Sequence, residues 1–279
     1  MYVDIEKSFL KKTMKRTTVL FMAVAAVMAF AACNSNTSDN GKQHFTIEGT
    51  LTNAANKTLY IEEMTPDNGA HFVDSIFCDK NGHFKYQGEM DYQTFFNLHS
   101  TEYNYIVLLP NNGEKMTVSG DYNTLSTNYL INGSPESQLL WQIQSYITDA
   151  NIVIAGLAEK DKQNRSSLGE AEYAKAKEAT DSAFVEERIL VQKMFLNFID
   201  ENMGSLSTLY AVDAPFNHTM RVFYVESDFE VFEMVLDGLK ESNPENPHTL
   251  YYQTRVERAR SARALAAQQQ QEGQEIIIE

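Results

Sequence analysis

Cysteine is almost missing from this chain: Cys33 and Cys78 are the only two in 279 residues. With Cys33 engaged elsewhere, Cys78 has no internal partner, so a disulfide framework and a Cys-x-x-Cys redox pair are both excluded. Cys78 then reads as a small buried strand residue. Basic residues are also scarce, 23 Lys and Arg against 38 Asp and Glu, for a net charge of −15. Such a surface repels phosphate backbones and anionic headgroups, and no nucleic-acid partner is expected. There is no Gly-x-Ser-x-Gly elbow, Walker loop, His-Glu-x-x-His or dinucleotide fingerprint. The six histidines, at 44, 71, 83, 99, 218 and 248, are scattered. His71 and Asp74 share a strand face only imperfectly. Asp79-Lys80-Asn81-Gly82 lacks the sixth-position glycine and terminal glutamate of a calcium loop. No catalytic residue, metal or cofactor is expected, and the chain does not read as an enzyme.

Long hydrophobic runs are limited to one. Lys11, Lys12, Lys15 and Arg16 precede an apolar stretch from Val19 to Phe30, followed by Ala31-Ala32-Cys33. A charged start, a short apolar stretch and small residues before a cut make a secretory signal peptide. The run falls short of the about 20 residues a spanning helix needs. With cysteine directly after the small residues, the segment resembles a bacterial lipoprotein signal. That resemblance implies lipidation of Cys33 as the new N-terminus and membrane attachment through acyl chains, each buried CH₂ contributing about 0.8 kcal/mol. Met14 is an alternative start, giving a Met-Lys-Arg opening. Asn at position 34, where Asp would favour inner-membrane retention, points to an outer-membrane lipoprotein on its periplasmic or surface face. Residues 1–32 are expected to be removed and 33–43 to form a flexible tether. The removed piece takes five bases but two acids, so the remainder is more acidic still.

From residue 44 to 133 the pattern has period two. Phe45, Ile47, Gly49 and Leu51 alternate with polar residues, as do Leu59 and Ile61, Phe84 and Tyr86, Phe96 and Leu98, and Met116 and Val118. Asn81-Gly82 predicts a hairpin, Asn111-Asn112-Gly113 another turn, and Tyr105 to Leu109 a central strand. Seven to nine short strands imply an antiparallel β-sandwich or barrel.

Helical spacing takes over in a region spanning 134–267. Ser134-Pro135 caps a helix carrying Leu140, Ile143, Ile147, Ala150 and Ile154. A loop is expected from Lys160 to Leu168, then a long helix from Glu170 to Asn202 with Tyr173, Phe184, Val191, Phe195 and Phe198 on its inner stripe. Ser205 to Val212 predicts a shorter helix. Ser227 and Glu230 predict a capping box, and Asn246-Pro247 opens the last helix. Residues 268–279 read as a low-complexity tail that frays. The fold class is thus α+β, a sandwich followed by an all-α region.

The motif order Phe45-x-Ile47-x-Gly49, Leu59-Tyr60-Ile61, Asp74-Ser75, Gly82-x-Phe84-x-Tyr86 with Gly88 one residue short, Gly120-Asp121-Tyr122 and Ile131-Asn132-Gly133-Ser134 resembles one family. It is the uncharacterised N-terminal domain of membrane-anchored, thioredoxin-like thiol-disulfide oxidoreductases of Bacteroidetes-type bacteria. Ser205 to Ala211 is similar to the helical spacer that follows there. In that family a Trp-Cys-x-x-Cys domain comes next; this sequence holds no such pair, and the family's chemistry is not carried over.

Three surface features remain. Asp74-Ser75-Ile76 and Asp181-Ser182-Ala183 resemble the acceptor triplet for O-glycosylation of exported proteins in these bacteria, which implies glycan at Ser182 more than at Ser75. Tyr92, Tyr103, Tyr105, Tyr122 and Tyr129 could stack on sugars, or pack within the sandwich. Arg255, Arg258, Arg260 and Arg263 suit intramolecular pairing. The expected function is that of a non-catalytic binding or scaffolding module for an envelope protein partner. The alternatives are an accessory subunit or truncated fragment of a thioredoxin-like oxidoreductase, and a surface glycan-binding lipoprotein.

Overall fold

The computed structural model describes residues 41–67 and 69–275. Eight strands follow in order: β1 (Gln43–Thr52), β2 (Thr58–Met64), β3 (Ala70–Phe77), β4 (His83–Met90), β5 (Phe96–Thr101), β6 (Asn104–Leu108), β7 (Lys115–Asp121) and β8 (Tyr129–Asn132). They form two four-stranded sheets, ordered β4-β1-β7-β8 and β3-β2-β5-β6. Alternation turns Phe45, Ile47, Leu59, Ile61, Phe96, Leu98, Met116 and Val118 inward, and these fill the space between the sheets. The α+β sandwich expected from the period-two pattern is present. One pairing departs from antiparallel: β1 and β7 run parallel, from Thr46↔Lys115 to Thr52↔Asp121. At Gly49 the two backbones come so close that a Cβ would lie 1.9 Å from the Val118 carbonyl oxygen.

Two sequence expectations change here. Asn81-Gly82 is not a hairpin, because β3 and β4 belong to different sheets. A two-residue hairpin turn needs positive φ at both positions. Only Gly82 has it, at +77°, while positive φ outside glycine is confined to Asn53 and Asn56 among the described residues. The Asp79 carboxylate accepts from the N–H groups of Asn81 (2.7 Å) and His83 (3.0 Å), and so shapes an arch from one sheet to the other. Those hydrogen bonds hold its pKa below the ordinary carboxylate value. The second change is β6, which is the edge strand of its sheet and not a central one. Its apolar run has another cause: Ile106 and Leu108 enter the sandwich core, while Val107 and Leu109 face a second core made by helices.

That helical layer comprises α1 (Pro135–Ser167), α2 (Glu170–Glu201), α3 (Ser207–Val212), α4 (Phe229–Ser242) and α5 (Pro247–Glu275). Leu140, Ile143, Phe195, Phe198, Phe232, Leu236 and Leu239 pack its core. Ser134 caps α1, its hydroxyl accepting from the Ser137 N–H at 3.3 Å. The loop expected over Lys160–Leu168 shrinks to Leu168 and Gly169, since Lys160–Ser167 continues α1. This stretch is polar all round, so no apolar period reveals it. Its support is local, as in the Arg165 guanidinium donating to the Tyr173 hydroxyl at 3.0 Å. The capping box at Ser227 and Glu230 does not form: Asp228 is the N-cap without a side-chain cap bond. Its carboxylate instead accepts from the Tyr224 N–H and the Ser227 hydroxyl. The Asn246 side chain caps α5 by accepting from the His248 N–H at 2.9 Å. α5 runs on to Glu275, so residues 268–275 of the expected tail are helical, as Ala- and Gln-rich sequence permits.

Gly82→Ala puts a Cβ at positive φ and 2.2 Å from the Leu51 carbonyl oxygen. The expected loss is about 2 kcal/mol or more in urea-induced unfolding, because neither the arch nor Leu51 can shift without breaking the Leu51–Gly82 backbone hydrogen bond.

Candidate functional site

A cleft of about 780 Å³ lies where the outer face of the second sheet meets the helices. Strand alternation supplies its floor: Met64 at the end of β2, Asn97 on β5, and Tyr105 and Val107 on β6. Gln144 and Ile147 on α1 and Leu209 and Tyr210 on α3 overhang one side. Asp213, Arg221 and four residues of α5 close the rest. The volume falls within the range of about 300–1,000 Å³ typical of small-ligand sites.

Its charged end is built on Asp213. The Arg255 guanidinium forks onto both carboxylate oxygens, with Nη2 donating to Oδ1 at 2.7 Å. Donation to Asp213 holds the Arg255 pKa above its ordinary value. The Arg255 Cζ also stacks 5.4 Å from the Phe232 ring centre and 5.8 Å from that of Tyr252. Arg221 reaches the same residue from the other side, its Nη1 donating to the Asp213 carbonyl oxygen at 2.8 Å.

The uncharged end centres on His248, which is buried. Its Nε2 lies 2.8 Å from the Thr94 hydroxyl, itself 3.2 Å from the Met64 carbonyl oxygen. The two contacts tie the imidazole to the last residue of β2. Phe95 packs edge-on to the imidazole at 5.2 Å, and burial lowers the His248 pKa to about 4. Burial likewise raises the pKa of the Tyr210 and Tyr252 hydroxyls, so both stay protonated donors.

The residues singled out from sequence are dispersed. Cys33 lies outside the described residues. Cys78 is buried, and burial pushes its thiol pKa up, with Asp79 adding to the effect. Ser75 on β3 and Ser182 on α2 are exposed and far apart in the fold's element order. Of the five tyrosines, Tyr105 lines the cleft, Tyr103 is 83 % exposed, and Tyr129 is buried. Tyr122 donates to the Thr58 carbonyl at 2.8 Å, and Tyr92 packs against His248. Three of the four arginines pair within the chain: Arg255 with Asp213, Arg260 with Glu233 at 2.8 Å, and Arg263 with the Glu226 carbonyl at 2.6 Å, while Arg258 is exposed. Asp213, Arg221 and His248 escaped the sequence reading, since no local pattern announces a cleft assembled from strands and helices 150 residues apart. Among the described residues, no group of three or more His, Cys, Asp or Glu side chains could hold a metal ion, and no helix is long and apolar enough to cross a membrane.

Residues 45–140 match the family model described as a domain of unknown function, DUF4369. The match covers the sandwich and the first residues of α1. No curated protein matches the chain.

The depressed His248 pKa makes stability depend on pH. Between pH 6.5 and about 4 the unfolded chain binds a proton here that the folded protein refuses. Stability is therefore fully present above pH 6.5 and falls on acidification, by about 2–3 kcal/mol at pH 4.5. The half-buried Glu136, whose pKa is raised by desolvation, acts in the opposite sense near its own pKa. A His248→Gln variant keeps that contribution and loses the first. Urea unfolding at pH 7 and 4.5 should show a flatter acid slope for the variant; equal slopes would remove His248 as the cause.

Proposed function

We propose that this chain is a lipid-anchored protein of the cell envelope that works as a non-catalytic binding module, with the cleft between sheet and helices as its binding site. The anchoring rests on the basic start, the apolar run from Val19 to Phe30 and the small residues before Cys33. In this reading lipidated Cys33 holds the body at the outer membrane, and residues 34–43 set it at a distance from the surface. The observation that carries the binding role is the cleft itself. It is large, its wall mixes aromatic and aliphatic side chains with a few polar groups, and its charged end is fixed by a bidentate ion pair.

A second reading is an accessory subunit, or a truncated fragment, of a thioredoxin-like thiol-disulfide oxidoreductase. It is favoured by the match of residues 45–140 to an uncharacterised domain, at the position where the sequence resemblance puts one. In that reading the thiols come from a partner, since Cys78 is enclosed. Insulin reduction by this chain alone would contradict both readings.

Three measurements test the proposal. In native cells, Cys33→Ser should move the protein from the membrane to the soluble fraction, and the intact mass of the wild type should equal residues 33–279 plus acyl chains. A mass larger by a whole domain would favour the oxidoreductase reading. Native mass spectrometry of protein extracted from its own membranes should show a bound ligand that is lost in Gln144→Trp, which fills the cleft from α1. Identical ligand content in wild type and variant, both folded by thermal melting, would sink the cleft as the site.

A further inference from the structure

One end of the cleft is a positive island in an acidic molecule. The charged side chains lining it are Asp213, Arg221 and Arg255, two cations to one anion, in a chain of net charge −15. Arg255 commits its fork to Asp213 and is pinned between rings. Arg221 is placed differently. It gives Nη1 to the Asp213 carbonyl oxygen at 2.8 Å, with the carboxylate Oδ1 3.7 Å away, and its side chain remains 58 % exposed. A guanidinium carries five donors in a planar fork that matches a carboxylate. Arg221 therefore has donors to offer at the cleft's edge, backed by the second cation.

The other walls are uncharged. Tyr105, Val107, Ile147 and Leu209 offer apolar surface, and the amides of Asn97 and Gln144 stand among them. A ligand that fits has an anionic end, apolar side groups and polar groups along its length. A fatty acid meets the first two requirements and offers nothing to the Gln144 amide, whereas the Asn97 amide already donates to the Met64 Sδ at 3.0 Å. A peptide end meets all three.

Resting on the reading of the cleft as the binding site, we propose that it captures the carboxyl terminus of a peptide whose last residues are apolar. The terminal carboxylate sits on Arg221, the last side chains lie against Tyr105, Val107, Ile147 and Leu209, and the peptide groups come within reach of Asn97 and Gln144. Capture of a chain end by convergent donors is an established mode of peptide recognition, and the charge surplus favours the ionised end over an internal segment.

The probe is N-acetyl-Ala-Leu-Phe as the free acid and as the amide, titrated calorimetrically into the full chain. The acid should bind and the amide should bind at least about tenfold more weakly. Arg221→Met should remove that discrimination and Arg221→Lys should restore part of it, while Arg258→Met, on α5 outside the cleft, leaves it intact. Equal binding of acid and amide, or acid binding indifferent to Arg221→Met, overturns the proposal. Arg221-dependent binding of decanoate without binding of the peptide overturns the peptide as occupant and assigns a lipid acid. No peptide binding at millimolar concentration, with a native ligand still lost in Gln144→Trp, overturns this inference and leaves the cleft as a binding site. Undiminished peptide binding to Gln144→Trp overturns both.

Discussion

Two buried serines join the halves of this molecule. The Ser137 hydroxyl accepts from the Leu109 N–H at 2.9 Å and from the Ser134 hydroxyl at 2.9 Å, while Ser134 accepts from the Ser137 N–H. Both side chains are fully enclosed. The Leu109 N–H stands just past the end of β6, where the ladder no longer supplies a partner. Left alone in the interior it would cost about 1–3 kcal/mol. Meeting that demand with the first turn of α1 fixes where the helix starts and which way it leaves the sandwich. The Trp141 indole N–H, donating to the Tyr129 carbonyl at 3.0 Å, reinforces the same direction one turn on. Ile147 and Gln144 come to overhang Val107 and Tyr105 because of it, and the cleft exists as a consequence.

A similar economy governs the far side of the helical layer. α1 and α2 form a long antiparallel pair, but their buried residues end at Ala150 on the first and begin at Thr180 on the second. Beyond those points the pair is sustained by local contacts such as Arg165–Tyr173–Asp161 and Lys177–Asp181. Exposed contacts of this kind contribute little individually, because solvent screens them. The body-proximal halves, anchored by Phe195 and Phe198, carry the stability, and the distal halves are helical largely through propensity and these pairs.

Strands such as β4, β5, β7 and β8 were legible because burial alternates along them, and a period of two survives any error in pairing. Pairing itself was not. Asn81-Gly82 has the composition of a hairpin, yet whether flanking strands share a sheet is decided by distant partners, Thr50 for His83 and Thr58 for Phe77. The run from Tyr105 to Leu109 looked central because sequence reports that both faces are buried without saying by what. Here one face meets strands and the other helices. Lys160–Ser167 hid as a loop because an exposed helix needs no apolar stripe. The arginines were readable as pairing groups from the acidic balance of the chain, but not their partners: Asp213 is 42 residues from Arg255.

The cleft divides along the same line. Its floor, Tyr105 and Val107 included, belongs to the stretch that matches a domain of unknown function, residues 45–140. Its charged end, Asp213, Arg221 and Arg255, belongs entirely to the helices and connections beyond that stretch. Floor and charge are thus independent parts brought into register by the serine junction. The sandwich offers an apolar, hydrogen-bonding surface, and the segment from Leu209 to Arg255 supplies its charge. Replacing Asp213 by an apolar residue would leave two guanidiniums facing each other across a half-buried site, so the carboxylate is what permits so much positive charge in one place. It neutralises one cation and leaves the other in surplus. That surplus of one sets the sign of the cleft's charge, and it comes from three residues on three separate segments of chain.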